Sequence, residues 1–109
     1  MAGVVLAIQP DGDLLWYRYT GDGTADRTGA TGWVQNSGNQ IGRGWQGFRE
    51  VLGIGNGQVL AIQPDGDLLW YRYTGDGTAD RTGATGWVRN SGNQIGRGWQ
   101  GFRQVLGSP

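Results

Sequence analysis

Short apolar runs alternate with polar, glycine-rich stretches along the whole chain. Residues 4–9 carry Val4, Val5, Leu6 and Ile8, a composition that suits an extended strand. Pro10-Asp11-Gly12-Asp13 then reads as a turn, because Pro presets its φ and Gly accepts a left-handed one. A second strand, LLWYRY, covers 14–19, and the two predict an antiparallel hairpin. Alternation sends Leu14, Trp16 and Arg18 to one face, and Leu15, Tyr17 and Tyr19 to the other. Both faces carry large apolar groups, so the sheet is expected to be covered on both sides. A polar loop, GDGTADRTGATG, occupies 21–32 and is long enough to suggest a functional role. The third strand is expected to start at 33–36, break at Ser37-Gly38-Asn39 and finish over 40–42. A fourth spans 48–52, Gly53 to Gly57 form a turn, and 58–63 open a new strand. No helical stripe develops among so many glycines and turn residues.

The pattern is one unit written twice. Residues 5–53 return 54 positions later as 59–107, and only Gln35 (Arg89 in the second copy) and Glu50 (Gln104) differ. Four short antiparallel strands per unit, at 48–52, 59–63, 68–73 and 87–95, describe the blade of a propeller. The chain starts out of phase with that blade. It opens on the last three strands of one blade, continues through a complete blade, and ends on a lone first strand at 102–106. Two units cannot close a ring and would leave open edges. The expected fold is all-β: a single repeat domain over 1–109, a β-propeller with two four-stranded blades per chain, closed by head-to-tail homo-oligomerisation. The strand at 102–106 would complete the first blade of the next copy. A trimer would make six blades, a tetramer eight, and a pentamer two five-bladed rings.

Composition narrows the chemistry. The 109 residues include no Cys, His or Lys, and the nine Arg balance nine acidic groups to a formal net charge of zero. A disulfide scaffold and Cys/His zinc sites are excluded, and no basic patch invites nucleic acid. No apolar run reaches membrane-spanning length, and the opening residues lack a signal-peptide pattern. A soluble protein without membrane insertion is expected, its compartment open. The usual triads and Schiff-base chemistry are absent. Carboxylate pairs for glycoside hydrolysis are available, but every Asp is duplicated by the repeat, which suits repeated binding better than one asymmetric catalytic centre. The expectation is a non-enzyme.

Three stretches carry a family resemblance. Gly47-Phe48-Arg49 after Gly44-Trp45, Gly55-Asn56-Gly57 before Val59-Leu60-Ala61-Ile62, and Gly32-Trp33-Val34 through Ile41-Gly42-Arg43-Gly44-Trp45 together resemble the blade pattern of the tachylectin family of propeller lectins. The LLWYRY strand is similar to that of bacterial tachylectin-related proteins. The resemblance implies binding of N-acetylglucosamine or N-acetylgalactosamine at weak repeated sites, with no catalysis and no cofactor. The present unit is longer, with the excess in the 21–32 loop, and Ala30-Thr31-Gly32 stand where the family carries Asp or Asn.

A sugar site needs a flat aromatic ring and a few fixed polar groups. The candidates are Trp33 and Trp45 with Asp26, Arg27, Asn36 and Asn39, repeated as Trp87 and Trp99 with Asp80, Arg81, Asn90 and Asn93. Trp16 and Trp70, inside apolar strands, read as packing. Asp22-Gly23-Thr24-Ala25-Asp26 is only a fragment of a calcium loop, because Thr20 and Arg18 occupy the preceding ligand positions. An Asx-type turn is the reading preferred there. Arg18 and Arg72 are expected to pair with a carboxylate or lie on a Trp. The alternative for the whole chain is a symmetric structural propeller, of designed or excised origin, without a ligand.

Overall fold

The computed structural model describes residues 3–107; the two residues at each end of the expected 1–109 domain lie outside the described residues. The chain is all-β, with two antiparallel sheets of three and four strands. Its strands are β1 (Val4–Ile8), β2 (Leu14–Arg18), β3 (Asn39–Gly42), β4 (Glu50–Gly55), β5 (Gln58–Ile62), β6 (Leu68–Arg72) and β7 (Asn93–Gly96). Two single 3-10 turns, Trp45–Gly47 and Trp99–Gly101, are the only helical pieces among the described residues. Two compact units result. The first is Met1–Trp45 with Asp76–Thr85, and the second is Gln46–Gly75 with Gly86–Pro109.

In the first unit β1, β2 and β3 are neighbours in sequence order. The hairpin pairs Val4 with Arg18 and Ile8 with Leu14. Its turn closes as the residue types dictate: Gly12 N–H donates to the Gln9 carbonyl at 2.8 Å, and Gly12 takes φ 94. Between β2 and β3, Leu14 faces Gly42 while Leu15 faces Gln40, so Ile41 is the extra residue of a β-bulge. Leu14, Trp16 and Ile41 form its buried core, at 0 %, 2 % and 0 % exposure.

The second unit holds the four-stranded sheet in the order β4-β5-β6-β7. Its last three strands repeat the first unit's registers, and the bulge recurs with Ile95 as the extra residue. The added β4 pairs Glu50 with Ile62 and Gly53 with Val59. That cover buries Val59, Ala61 and Ile62, whereas Val5 and Ile8, their counterparts on the bare edge of β1, are exposed.

Three strands come first and a complete set of four follows. Residues 102–106, expected as a strand, join neither sheet. A strand exists by pairing, and this stretch is paired with no strand among the described residues. Two boundaries also move. The third strand begins at Asn39 rather than 33, because Ser37 N–H bonds to the Val34 carbonyl and Asn39 N–H to that of Asn36, turning the chain first. Trp33 keeps only an isolated bridge to Tyr19. The strand expected at 48–52 runs instead over Glu50–Gly55, after the 3-10 turn has used Trp45–Gly47.

Candidate functional site

The long polar loop is a built structure. At its base Thr20 N–H donates to the Gly32 carbonyl at 2.7 Å. Gly21 and Gly32 close around the Tyr19 ring so tightly that a Cβ at Gly21 would lie 2.5 Å from the Tyr19 hydroxyl. That hydroxyl accepts the Gly23 N–H at 2.8 Å. Further out, Asp22 accepts from the N–H and hydroxyl of Thr24, forming the Asx turn expected there. Asp26 accepts the Thr28 N–H at 3.0 Å, the Thr28 hydroxyl at 2.7 Å and the Thr31 N–H at 2.9 Å. Hydrogen bonds from the side chains of Thr31 and Thr28, then from their N–H groups, hold the Asp26 carboxyl far below the usual carboxylate range. Asp80 is lowered in the same way, by the side chains of Thr82 and Thr85 first and then by their N–H groups. These carboxylates cap turns: Asp22 Oδ1 and both Asp26 oxygens accept from Thr donors.

Beside the loop base lies an aromatic cluster. Trp33 meets Tyr17 edge-on at 5.8 Å between ring centres and Tyr19 at 5.0 Å. Tyr71, Tyr73 and Trp87 repeat the arrangement at 5.9 and 5.1 Å. Trp33 is 38 % exposed, so the tyrosines fix its ring while part of it faces solvent. The tyrosines were not among the candidate residues, although strand alternation already put both on one face. In the second unit Phe48 adds an edge contact to Tyr71 at 6.2 Å.

The other candidates divide. Trp45 is buried at 6 % exposure, its N–H donates to the Gly12 carbonyl, and a Cβ at Gly42 would lie 2.8 Å from its indole nitrogen. Trp45 therefore packs against backbone. Trp99 sits in the same way on Gly96 and makes an edge contact with Phe102 at 5.3 Å. Arg27 and Arg81 are exposed. Arg72 donates its Nε–H to the Asn56 carbonyl at 3.1 Å, a backbone partner in place of the expected carboxylate or Trp.

Asn36 and Asn39 belong to a different arrangement, in which residues 76–85 of the second repeat lie on the first unit's sheet. Asn36 Nδ2 donates to the Asp76 carbonyl at 3.1 Å, and Asn39 Nδ2 to the Gly77 carbonyl at 3.0 Å. The Asp80 N–H returns a bond to the Gln40 carbonyl at 2.9 Å. Gly77 rests on the Trp16 indole, leaving no room for a Cβ, and a Cβ at Gly83 would come within 3.2 Å of Gly42 Cα. Asn90 and Asn93, the second-repeat counterparts, are exposed. Two amides expected to face a sugar thus hold backbone carbonyls, a role that composition alone did not separate from ligand binding.

Comparison with family models, with curated proteins and with solved structures returns no match.

Proposed function

We propose that this chain is a carbohydrate-binding module for N-acetylated sugars, made multivalent by head-to-tail assembly into a closed β-propeller. The observation that carries the reading is the repeated cluster of a tryptophan fixed by two tyrosines beside a turn-capped polar loop. Trp33, held by Tyr17 and Tyr19 and 38 % exposed, offers a sugar ring an ordered apolar surface next to backbone and hydroxyl donors. The choice of N-acetylglucosamine or N-acetylgalactosamine rests on the tachylectin-like blade pattern.

Matched open surfaces support assembly. Transferring the β4–β5 register by one repeat sets Gln104 opposite Ile8, Val105 opposite Ala7, and Leu106 opposite Leu6 of a second copy. Leu106 is 77 % exposed, Phe102 54 % and Val5 48 %, apolar groups that this pairing would cover. Phe102 would then take against Tyr17 the place that Phe48 takes against Tyr71.

A monosaccharide buries little surface, so each site is expected to bind in the high micromolar to millimolar range, on the order of 4–5 kcal/mol. The test is titration with N-acetylglucosamine, read by tryptophan fluorescence and by inhibition of haemagglutination. Saturable binding that is lost in Trp33→Ala/Trp87→Ala supports the lectin reading; fluorescence that does not respond up to tens of millimolar sugar, about ten times that range, together with no agglutination in the absence of sugar, contradicts it. The use of Asn36 and Asn39 on backbone carbonyls favours a second reading, a structural propeller without a ligand.

A further inference from the structure

Residues 22–31 and 76–85 are identical in sequence, yet their surroundings differ. The second segment is seated on the first sheet through Asn36, Asn39, the Gln40 carbonyl and Trp16. Around the first segment, a Cβ at Gly23 or Gly29 would meet nothing within 4 Å. The Asp26 N–H, counterpart of the Asp80 N–H, makes no backbone hydrogen bond among the described residues. The receiving surface shows the same contrast. Ile41 lies between two residues that meet the seated segment and is 0 % exposed, whereas Ile95 is 56 % exposed. Asn90, Asn93 and Gln94 are exposed as well. One chain therefore carries an unseated plug and an unfilled seat, and it displays the fit of the two in its own first unit.

We propose that residues 22–31 of one copy seat on the Asn90–Ile95 surface of a second copy. Asn90 Nδ2 then donates to the Asp22 carbonyl and Asn93 Nδ2 to the Gly23 carbonyl, while the Asp26 N–H donates to the Gln94 carbonyl. Gly23 lies on Trp70 as Gly77 lies on Trp16. The inference rests on the assembly reading above and adds a junction independent of its strand pairing. Its direction agrees with that pairing: the copy that offers 102–106 to its neighbour's β1 receives the neighbour's 22–31 loop. Each junction becomes a reciprocal clasp. Open apolar edges bind any strand, whereas two amides donating to two carbonyls, with a glycine required over the Trp ring, admit only a loop of this backbone shape in this register.

The contacts are tested by hydrogen exchange on the assembled full chain, beside Asn90→Ala/Asn93→Ala. Peptides running past position 35 or 89 distinguish the repeats by Gln35 and Arg89. In the wild type the 22–31 loop should exchange as slowly as 76–85, with the Asp26 amide matching that of Asp80. The double variant alters residues exposed in the single chain, so β5 and β6 should stay protected while the dissociation constant per junction rises about 10- to 100-fold. Protection of β1 with a fast 22–31 loop, or an unchanged dissociation constant in the variant, overturns the loop seat and leaves strand pairing standing. Fast exchange at both β1 and 22–31 at every concentration overturns the assembly reading and the seat with it.

Discussion

Ile41 and Ile95 form a controlled pair for measuring what the seated loop contributes. Each is the bulged residue of its strand, in the identical sequence NQIGRGWQGF, and they differ in exposure, 0 % against 56 %. Replacing Ile41 by Ala removes buried carbons and leaves a cavity, which costs about 2–5 kcal/mol. Ile95 has less than half of its surface covered, so the same change there should cost roughly 1 kcal/mol or less in the monomer. The gap of about 2 kcal/mol is large beside the 5–15 kcal/mol typical of whole domains. Urea unfolding of Ile41→Ala and Ile95→Ala, at concentrations below and above assembly, reads it. If the wild type remains assembled at the lowest workable concentration, the Asn90→Ala/Asn93→Ala background, whose weaker junction dissociates at higher concentration, extends the range toward the monomer. On assembly the two costs should converge, because every seat is then filled. Equal costs in the monomer, or a gap that persists in the assembled protein, would refute the reasoning.

Other perturbations address the loop and the aromatic cluster. The carboxyls of Asp26 and Asp80 are depressed by their Thr partners, so their contribution is present above the ordinary carboxylate pKa and disappears as pH falls through the depressed folded values. Protection of the amides in 22–31 and 76–85, taken relative to the unstructured rate at each pH, should accordingly hold at pH 5 and fall only well below about pH 4, the usual carboxylate value; loss of protection near pH 6 would contradict the capping role. Gly21→Ala and Gly75→Ala should each lower stability by about 1–3 kcal/mol in thermal unfolding, since the new Cβ would press on the Tyr19 or Tyr73 hydroxyl, and neither glycine has a positive φ to confuse the result. Trp33→Ala should reduce N-acetylglucosamine affinity at that site by about tenfold, a stacking loss on the order of 1 kcal/mol, with the secondary structure seen by circular dichroism intact.

The hairpins were legible because their signals are local. Val4 to Ile8 and Leu14 to Arg18 are apolar runs bounded by a Pro-Asp-Gly turn, and they begin where the pattern puts them. The turn chemistry of Asp22 was legible for the same reason, since an Asp with Thr two residues on bonds within itself. What depends on a partner was harder to read. Residues 102–106 have the composition of a strand and join neither sheet. Asn36 and Asn39 lie near the loop in sequence, but their acceptors are carbonyls about 40 residues away, a pairing that no local pattern encodes. The contrast between Ile41 and Ile95 marks the limit most clearly: identical residues in identical local sequence have opposite burial, so burial here follows from tertiary cover alone.

The most direct test of head-to-tail closure is native mass spectrometry of the full chain across a range of concentrations. Closure predicts one dominant species at a fixed whole multiple of 11.7 kDa, with no ladder of larger masses. A monomer at all concentrations, or an open series growing with concentration, would contradict it.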